Sequence, residues 1–361
     1  MAGVASAGRK ARVLFIGPFP PPVHGQSVAT KGLFDVLVAH GLAVKACDTG
    51  EGGSGAGGKL RRLARLGAAA ASALLVPARH LYVSVNSRGG MAVTVLLCLL
   101  GRLTGKRLTL HHHVYRYVAQ YDPMMALLAH VAGPKALHIA NCAAMAEELA
   151  GRYPAIGHAS GYGNVNFVDP ALRSLPLSTG DGPIVLGHMS NLTEAKGLGR
   201  SIAILAAARE AGLETSLLVA GPCSEPGAEE TLAEAARRFG PAIEYMGPVY
   251  GERKLDFFRR SDVFVFPTRY VNEAGPIVNL EALAAGAPVI STAQCCIPST
   301  LAESGGIAIP ASEDPCPAAL AFLSRFKAAP RERAQAARER FDVLVEEQRA
   351  LEAELIARFA G

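Results

Sequence analysis

Short apolar runs recur along the chain, each bounded by glycine, proline or polar residues, and longer stretches of helical spacing separate them. Arg12–Gly17 (RVLFIG), His80–Val85 (HLYVSV) and Arg107–His113 (RLTLHHH) read as strands in the first half. Ile184–Met189, Ser216–Gly221, Ile243–Gly247, Val263–Pro267 and Ala287–Thr292 do the same in the second. Helical patterns lie between them at Gln26–His40, Leu198–Ala211 and Ala228–Phe239, and a long charged helix from Arg331 to Phe359 closes the sequence. Strand–helix alternation predicts parallel sheets with helices on both faces. Ser174–Pro183 (SLPLSTGDGP) has linker composition and a new strand follows it directly. The pattern therefore predicts an α/β chain of two doubly wound units. Gly50–Lys59 (GEGGSGAGGK) reads as a flexible loop.

A chain of 361 residues exceeds the usual single-domain range. With 50% hydrophobic and 19% charged residues it has ample core, and disorder is excluded. The opening MAGVASAGRKARVLFIG runs from small polar residues into a strand without a secretory pattern. The longest apolar runs, Gly67–Pro77 and Gly89–Leu100, fall short of the roughly 20 residues that cross a bilayer. Seven scattered cysteines without CxxC pairs point to a cytoplasmic location.

Charge changes the picture. Through Ser178 there are 18 Lys and Arg against 7 Asp and Glu; the remainder holds 18 against 24. The first half is thus suited to an anionic partner. Lys59–Val76 (KLRRLARLGAAAASALLV) concentrates the effect, and Lys59–Arg65 suits an anionic membrane surface. An ordinary surface helix is the equal alternative. No aromatic residues interleave with the basic ones, so nucleic acid is disfavoured.

Asn272–Thr292 (NEAGPIVNLEALAAGAPVIST) raises a chemical question. A helix starting near Pro276 places Ile277, Leu280, Leu283, Ala284 and Ala287 on a core-facing stripe, ended by Gly286 and Pro288. Glu281 borders that stripe. A carboxylate leaning inward needs hydrogen-bond donors, from sugar hydroxyls or from a protein neighbour such as a lysine.

Ligands of paired parallel sheets sit at the carboxyl ends of the strands. After the first strand, Gly17–Thr30 (GPFPPPVHGQSVAT) has Gly25 opening a helix whose N–H groups suit an anion. It is not GxGxxG, which disfavours a nicotinamide enzyme. In His111–Tyr117 (HHHVYRY), strand alternation points His111 and His113 together and His112 away, so these residues do not chelate one metal. His113 is the candidate to hydrogen-bond a substrate hydroxyl, and His112 reads as structural. Lys196, in Ser190–Gly199 (SNLTEAKGLG), precedes a helix and suits phosphate. The turns at Gly221 and at Pro248–Val249 suit main-chain contact with a nucleobase.

In this order and spacing, the segments resemble the retaining glycosyltransferases of the GT4 family, of GT-B architecture. The most specific likeness is Glu273-x7-Glu281 with EALAAGAPVIST, similar to the family's E-G-F-G…L-E-A-M-A-x-G-x-P-V-I. The resemblance implies an acceptor-side Rossmann-like domain at residues 1–176, a nucleotide-sugar domain at 177–340, and a helix at 341–361 that packs back on the first. It implies that Glu281 accepts from ribose hydroxyls, and that Glu273 with Ala274, Gly275 and Pro276 holds the donor sugar. Lys196 would counter the diphosphate, Gly25 would let the first loop approach it, and His113 would contact the transferred sugar. Asn164, in GYGNVNF, matches a structural asparagine.

The chain also departs from the family. Asn191 stands where the family often has a phosphate-binding arginine, and Arg269 is a substitute by position. His24–Gly25 replaces Gly-Gly, and Ala274–Gly275 replaces Gly-Phe. The implied activity is retaining transfer of a hexose from a UDP- or GDP-linked sugar, without metal or other cofactor, in polysaccharide or glycolipid assembly. The acceptor would be a glycan, a lipid-linked sugar or a small natural product. A nucleotide-sugar 2-epimerase and a non-catalytic sugar-nucleotide or glycan binder are the rival readings.

Overall fold

The computed structural model describes residues 12–21, 25–50, 56–87 and 89–361. Two compact units emerge: Met1–Phe167 with Glu347–Gly361, and Val168–Glu346.

The first unit runs β1 (Val13–Gly17), α1 (Gly25–Ala39), β2 (Val44–Asp48), α2 (Ala56–Leu75), β3 (His80–Ser84), α3 (Gly90–Leu103), β4 (Arg107–His111), α4 (Arg116–Ala119), α5 (Pro123–Ala132), β5 (Leu137–Ala140), α6 (Ala143–Arg152) and β6 (His158–Gly161). Its strands form a parallel sheet in the order β2-β1-β3-β4-β5-β6. The chain steps outward from β1 to β2 and then returns to β3, so the strand order reverses between β1 and β3. On one face Leu33 and Leu37 of α1 join Val13, Phe15, Tyr82, Leu137 and Ile139, with Leu355 and Phe359 from the end of the chain. Right-handed crossovers place α2, α3, α5 and α6 on the other face.

The second unit runs β7 (Ile184–Met189), α7 (Leu198–Glu210), β8 (Thr215–Ala220), α8 (Ala228–Phe239), β9 (Ile243–Tyr245), α9 (Glu252–Arg260), β10 (Val263–Phe266), α10 (Ile277–Ala285), β11 (Val289–Ala293), α11 (Ile297–Leu301), β12 (Gly306–Pro310) and α12 (Pro315–Ala328). The parallel sheet has the order β12-β11-β10-β7-β8-β9, which reverses between β7 and β10. Alternate residues of its strands bury Leu186, Leu217, Val219, Val263, Val265 and Ile290 against Ile204 and Leu205 of α7 and Phe322 and Phe326 of α12. A last helix, α13 (Pro330–Ala360), belongs to this unit through Glu346 and to the first unit beyond it.

Two doubly wound parallel sheets are what the alternation predicts. Four strands escape the pattern: β2, β5, β6 and β12. Three of them, β2, β6 and β12, lie at sheet edges, where β2 and β6 bury little and lack a continuous apolar run. The division at Phe167–Val168 lies ahead of the Ser174–Pro183 stretch, because a 3-10 turn at Pro170–Ser174 packs against α10. Of the loop expected at Gly50–Lys59, Ala56–Lys59 is already α2, and residues 51–55 lie outside the described residues. Pro22, Val23 and His24 of the first loop also lie outside them.

Helix α10 begins one residue later than the spacing predicts. Pro276, with ψ near 119°, is its N-cap rather than its first helical residue. Its end is as expected, with Gly286 left-handed at φ 83°. Arg338 of α13 closes it by donating from Nη2 to the carbonyls of Ala285 and Leu175, each at 2.8 Å.

Candidate active site

The second unit assembles its chemistry where the strand order reverses. Lys196 follows β7 and Glu273 follows β10, so the two come from loops on either side of the reversal, the place where such sheets open a crevice. Lys196 Nζ forms an ion pair with Glu273 Oε2, with side-chain exposures of 21% and 11%. The ammonium also lies 4.5 Å from the Tyr270 ring centroid and 5.6 Å from that of Phe266. Aromatic faces on one side and a carboxylate on the other hold the cation at the mouth of the crevice.

The two loops are stitched together by backbone. Ala195 O accepts from Arg269 N at 2.7 Å, and Arg200 Nε donates to Pro267 O at 2.7 Å. A third loop, after β11, adds Gln294, whose Nε2 donates to Tyr270 O and Glu273 O at 2.8 and 2.9 Å. Gly197 makes the approach feasible. Its φ is 94°, and a Cβ there would lie 2.6 Å from Pro267 O. Helix α7 starts immediately after it, and its first N–H groups are held by the preceding turn: Leu198 N donates to Thr193 O at 3.5 Å and Gly199 N to Glu194 Oε2 at 3.3 Å.

Ala274, Gly275 and Pro276 form the turn between Glu273 and α10. The carbonyl of Ala274 accepts from Cys296 N at 3.1 Å and anchors the turn. Asn191 is exposed in the loop after β7. Arg269 is exposed, and its Nη2 lies 3.5 Å from Glu313 O. At the end of β8, Gly221 takes φ 119°, and a Cβ would meet Ser190 O at 1.8 Å. Its N–H donates to Gly247 O at 2.9 Å, which brings in the turn carrying exposed Pro248 and buried Val249.

Glu281 is 6% exposed on α10, and its donor is already present. Lys254 Nζ of α9 lies 2.7 Å from Glu281 Oε1. Burial raises the Glu281 pKa, and Lys254 opposes the shift without cancelling it. Of the two sources of donors open to an inward-leaning carboxylate, sugar hydroxyls or a lysine, the chain itself supplies the lysine. Lys254 falls within a stretch read only for its backbone turns. Tyr270, Gln294 and Arg200 likewise carry no local sequence signal.

In the first unit, Gly25 is the first residue of α1, and nothing lies within 4 Å of a Cβ built on it. The next residue ties α1 to the end of β3: Gln26 Nε2 donates to Ser84 Oγ at 2.9 Å. Strand β4 ends at His111, so His112 and His113 lie beyond it. The alternation nevertheless persists. The rings of His111 and His113 are 4.0 Å apart, while His112 turns away to stack on His138, Nε2 to Nδ1 at 2.9 Å, with Tyr117 Oη 3.0 Å from its Nδ1. His112 is thus a buried, satisfied histidine, and His113 is half-buried at the strand's carboxyl end. Among the described residues no group of three His, Cys, Asp or Glu is placed to hold a metal ion.

Residues 176–339 match the family described as glycosyl transferases group 1. No curated relative matches the chain by sequence. Among solved structures, the chain is similar to HepE of Anabaena, crystallised with UDP, at 16% identity and a TM-score of 0.69, covering 95% of this chain and 99% of that one. It is also similar to a sucrose-phosphate synthase from Thermosynechococcus elongatus, at 18% identity and a TM-score of 0.68 over 96% and 100% of the two chains. A glycosyltransferase from Rickettsia africae follows at 13% identity and 0.64, over 96% and 99%. The chain has the two-sheet GT-B fold of these structures, and its second unit carries a domain that matches the group 1 glycosyl transferases.

Proposed function

We propose that the protein moves a hexose from a nucleotide diphosphate sugar to an acceptor hydroxyl with retention of anomeric configuration. The observation that carries this reading is the Lys196–Glu273 pair at the strand-order reversal, beside the start of α7. On arrival of the donor, sugar hydroxyls take over the Glu273 carboxylate. Lys196, with the start of α7 once Glu194 gives up the Gly199 N–H, then faces the diphosphate. As the glycosidic bond breaks, negative charge grows on the leaving phosphate, and a fixed ammonium and helix N-terminus stabilise that charge more than the ground state. A leaving phosphate oxygen then takes the acceptor's proton on the same face, which gives retention. The scheme needs no metal, since Lys196 and the main chain meet the charge.

Gly25 lets the first loop come near the phosphates, and His113 hydrogen-bonds a hydroxyl of the transferred sugar. Glu281 accepts from the ribose while Lys254 holds its other side. Asn191 leaves a place where a second cation is often found, and Arg269 or Arg200 turns toward it. Gly221, Pro248 and Val249 offer main-chain groups to the base, which is uracil or guanine.

The basic first unit favours a lipid-linked or otherwise anionic acceptor at the cytoplasmic membrane face, with peripheral contact through Lys59–Arg65, as in polysaccharide assembly. A thermal-shift series with UDP-, GDP- and dTDP-sugars identifies the donor, and NMR of the product's anomeric proton tests retention. Inversion at the anomeric carbon removes the same-face mechanism. Conversion of donor without acceptor replaces transfer by 2-epimerisation.

A further inference from the structure

Helices α2, α3 and α5 form one layer on the first sheet, tied to each other at their carboxyl ends. Lys106 Nζ, just past α3, donates to Ala73 O of α2 at 2.9 Å, and Arg102 Nη1 of α3 donates to Val131 O of α5 at 2.8 Å. Each helix keeps an apolar inner stripe against the sheet and carries a second apolar stripe facing water. The outer stripe holds Leu60 and Leu63 on α2, Leu99 and Leu103 on α3, and Met124 and Leu127 on α5, all exposed. Leu63 and Leu103 are 66% and 73% exposed. The spacing within each helix is three or four residues, so these side chains line up rather than scatter. Isolated exposed leucines need no explanation, but aligned stripes on three neighbouring helices do.

The charge on this layer is one-sided. Ala56–Leu75, Gly90–Leu103 and Pro123–Ala132 contain Lys59, Arg61, Arg62, Arg65 and Arg102 and no Asp or Glu. Arg65 is paired with Asp48 of β2 at 2.9 Å, while Lys59, Arg61 and Arg62 are exposed beside Leu60 and Leu63. The nearest carboxylates along the chain are Asp122, the N-cap of α5, which accepts from Met124 N and Met125 N, and Glu147 and Glu148 of α6.

We propose that the α2–α3–α5 face lies on an anionic lipid bilayer, its leucines entering the headgroup–acyl boundary and its cations meeting lipid phosphates. Helices with one apolar and one cationic side lie in the plane of such an interface, and no helix among the described residues is long and apolar enough to cross it. A second copy of the chain fits the face poorly. Pairing it with itself would bring cations together with no carboxylate on these three helices to receive them. The proposal extends the Lys59–Arg65 contact and rests on the membrane-side acceptor for its use. Its test reads lipid binding, whereas the donor chemistry is read by nucleotide binding.

The full-length protein is sedimented with vesicles rich in phosphatidylglycerol and, in parallel, with phosphatidylcholine vesicles. Binding is expected to the anionic vesicles and to fall as salt is raised. Replacing Lys59, Arg61 and Arg62 together by Glu should weaken it by about 100-fold or more. Leu63→Glu with Leu103→Glu should weaken it by about tenfold or more, with nucleotide binding unchanged because neither residue lies in the second unit. Three results would overturn the proposal: no vesicle binding, anionic binding indifferent to the leucine changes, or a solution dimer that Leu103→Glu dissociates.

Discussion

Lys254 Nζ sits 2.7 Å from Glu281 Oε1, so a carboxylate almost removed from water is held by a cation of the neighbouring helix. The pair joins α9 to α10 and fixes the face of α10 that borders the crevice. Breaking it from one side leaves an uncompensated buried charge, whereas replacing both partners does not. Lys254→Met should therefore cost about 3 kcal/mol in denaturant unfolding at neutral pH, and Lys254→Met with Glu281→Gln should cost distinctly less. Burial has raised the Glu281 pKa, so its protonated form favours the folded state. The cost of the single variant should accordingly shrink as pH falls toward the carboxylate range. Equal costs for the single and double variants would place the pair outside the stability of this unit.

Glycines 25 and 197 should behave oppositely. Gly197 has φ 94° and the Pro267 carbonyl against its missing Cβ, so Gly197→Ala should destabilise by about 1–3 kcal/mol and misplace Lys196. Gly25 is helical with open space around it, so Gly25→Ala should leave stability unchanged or raise it by up to about 1 kcal/mol. Any loss of turnover in Gly25→Ala would then report a ligand coming close to that backbone. Melting temperatures and kcat for the two variants separate these effects.

Acid should unfold the second unit partly through His188. This histidine is fully buried between β10 and α7, with Nδ1 3.0 Å from Val265 O and 3.0 Å from Ser201 Oγ. Burial lowers its pKa from 6.5 to about 4 despite the carbonyl's opposing pull. The unfolded chain therefore takes up the proton first. The stability contributed by neutral His188 is full above pH 6.5 and is lost as pH falls through that window to about 4. The loss is of order 3 kcal/mol. His188→Gln should flatten that part of a stability–pH curve; an unchanged slope would assign the acid sensitivity to other groups.

Much of the fold can be read from the pattern because a buried parallel strand is an apolar run, as in VLFIG of β1 or VFVF of β10. The strands that escape do so for physical reasons: VKACD of β2 and HASG of β6 are partly exposed sheet edges, where polar residues cost little. The site divides in the same way. Lys196, Glu273 and Glu281 stand out because each sits at a fixed distance from a glycine or a helix start, and local spacing shows that. Tyr270, Gln294 and Lys254 reach the same crevice only through the packing of separate loops and helices. No spacing along the chain marks them. The inward lean of Glu281 is legible, but the identity of its partner is not, since Lys254 stands on a different helix.

Single-turnover release of nucleotide diphosphate from the donor sugar, measured for the wild type and for Lys196→Ala, tests the central claim most directly. A fixed cation that stabilises the departing phosphate predicts a loss of about 100- to 1,000-fold in Lys196→Ala, with fold stability kept. Release at the wild-type rate in that variant would contradict the claim and leave Lys196 as no more than the partner of Glu273.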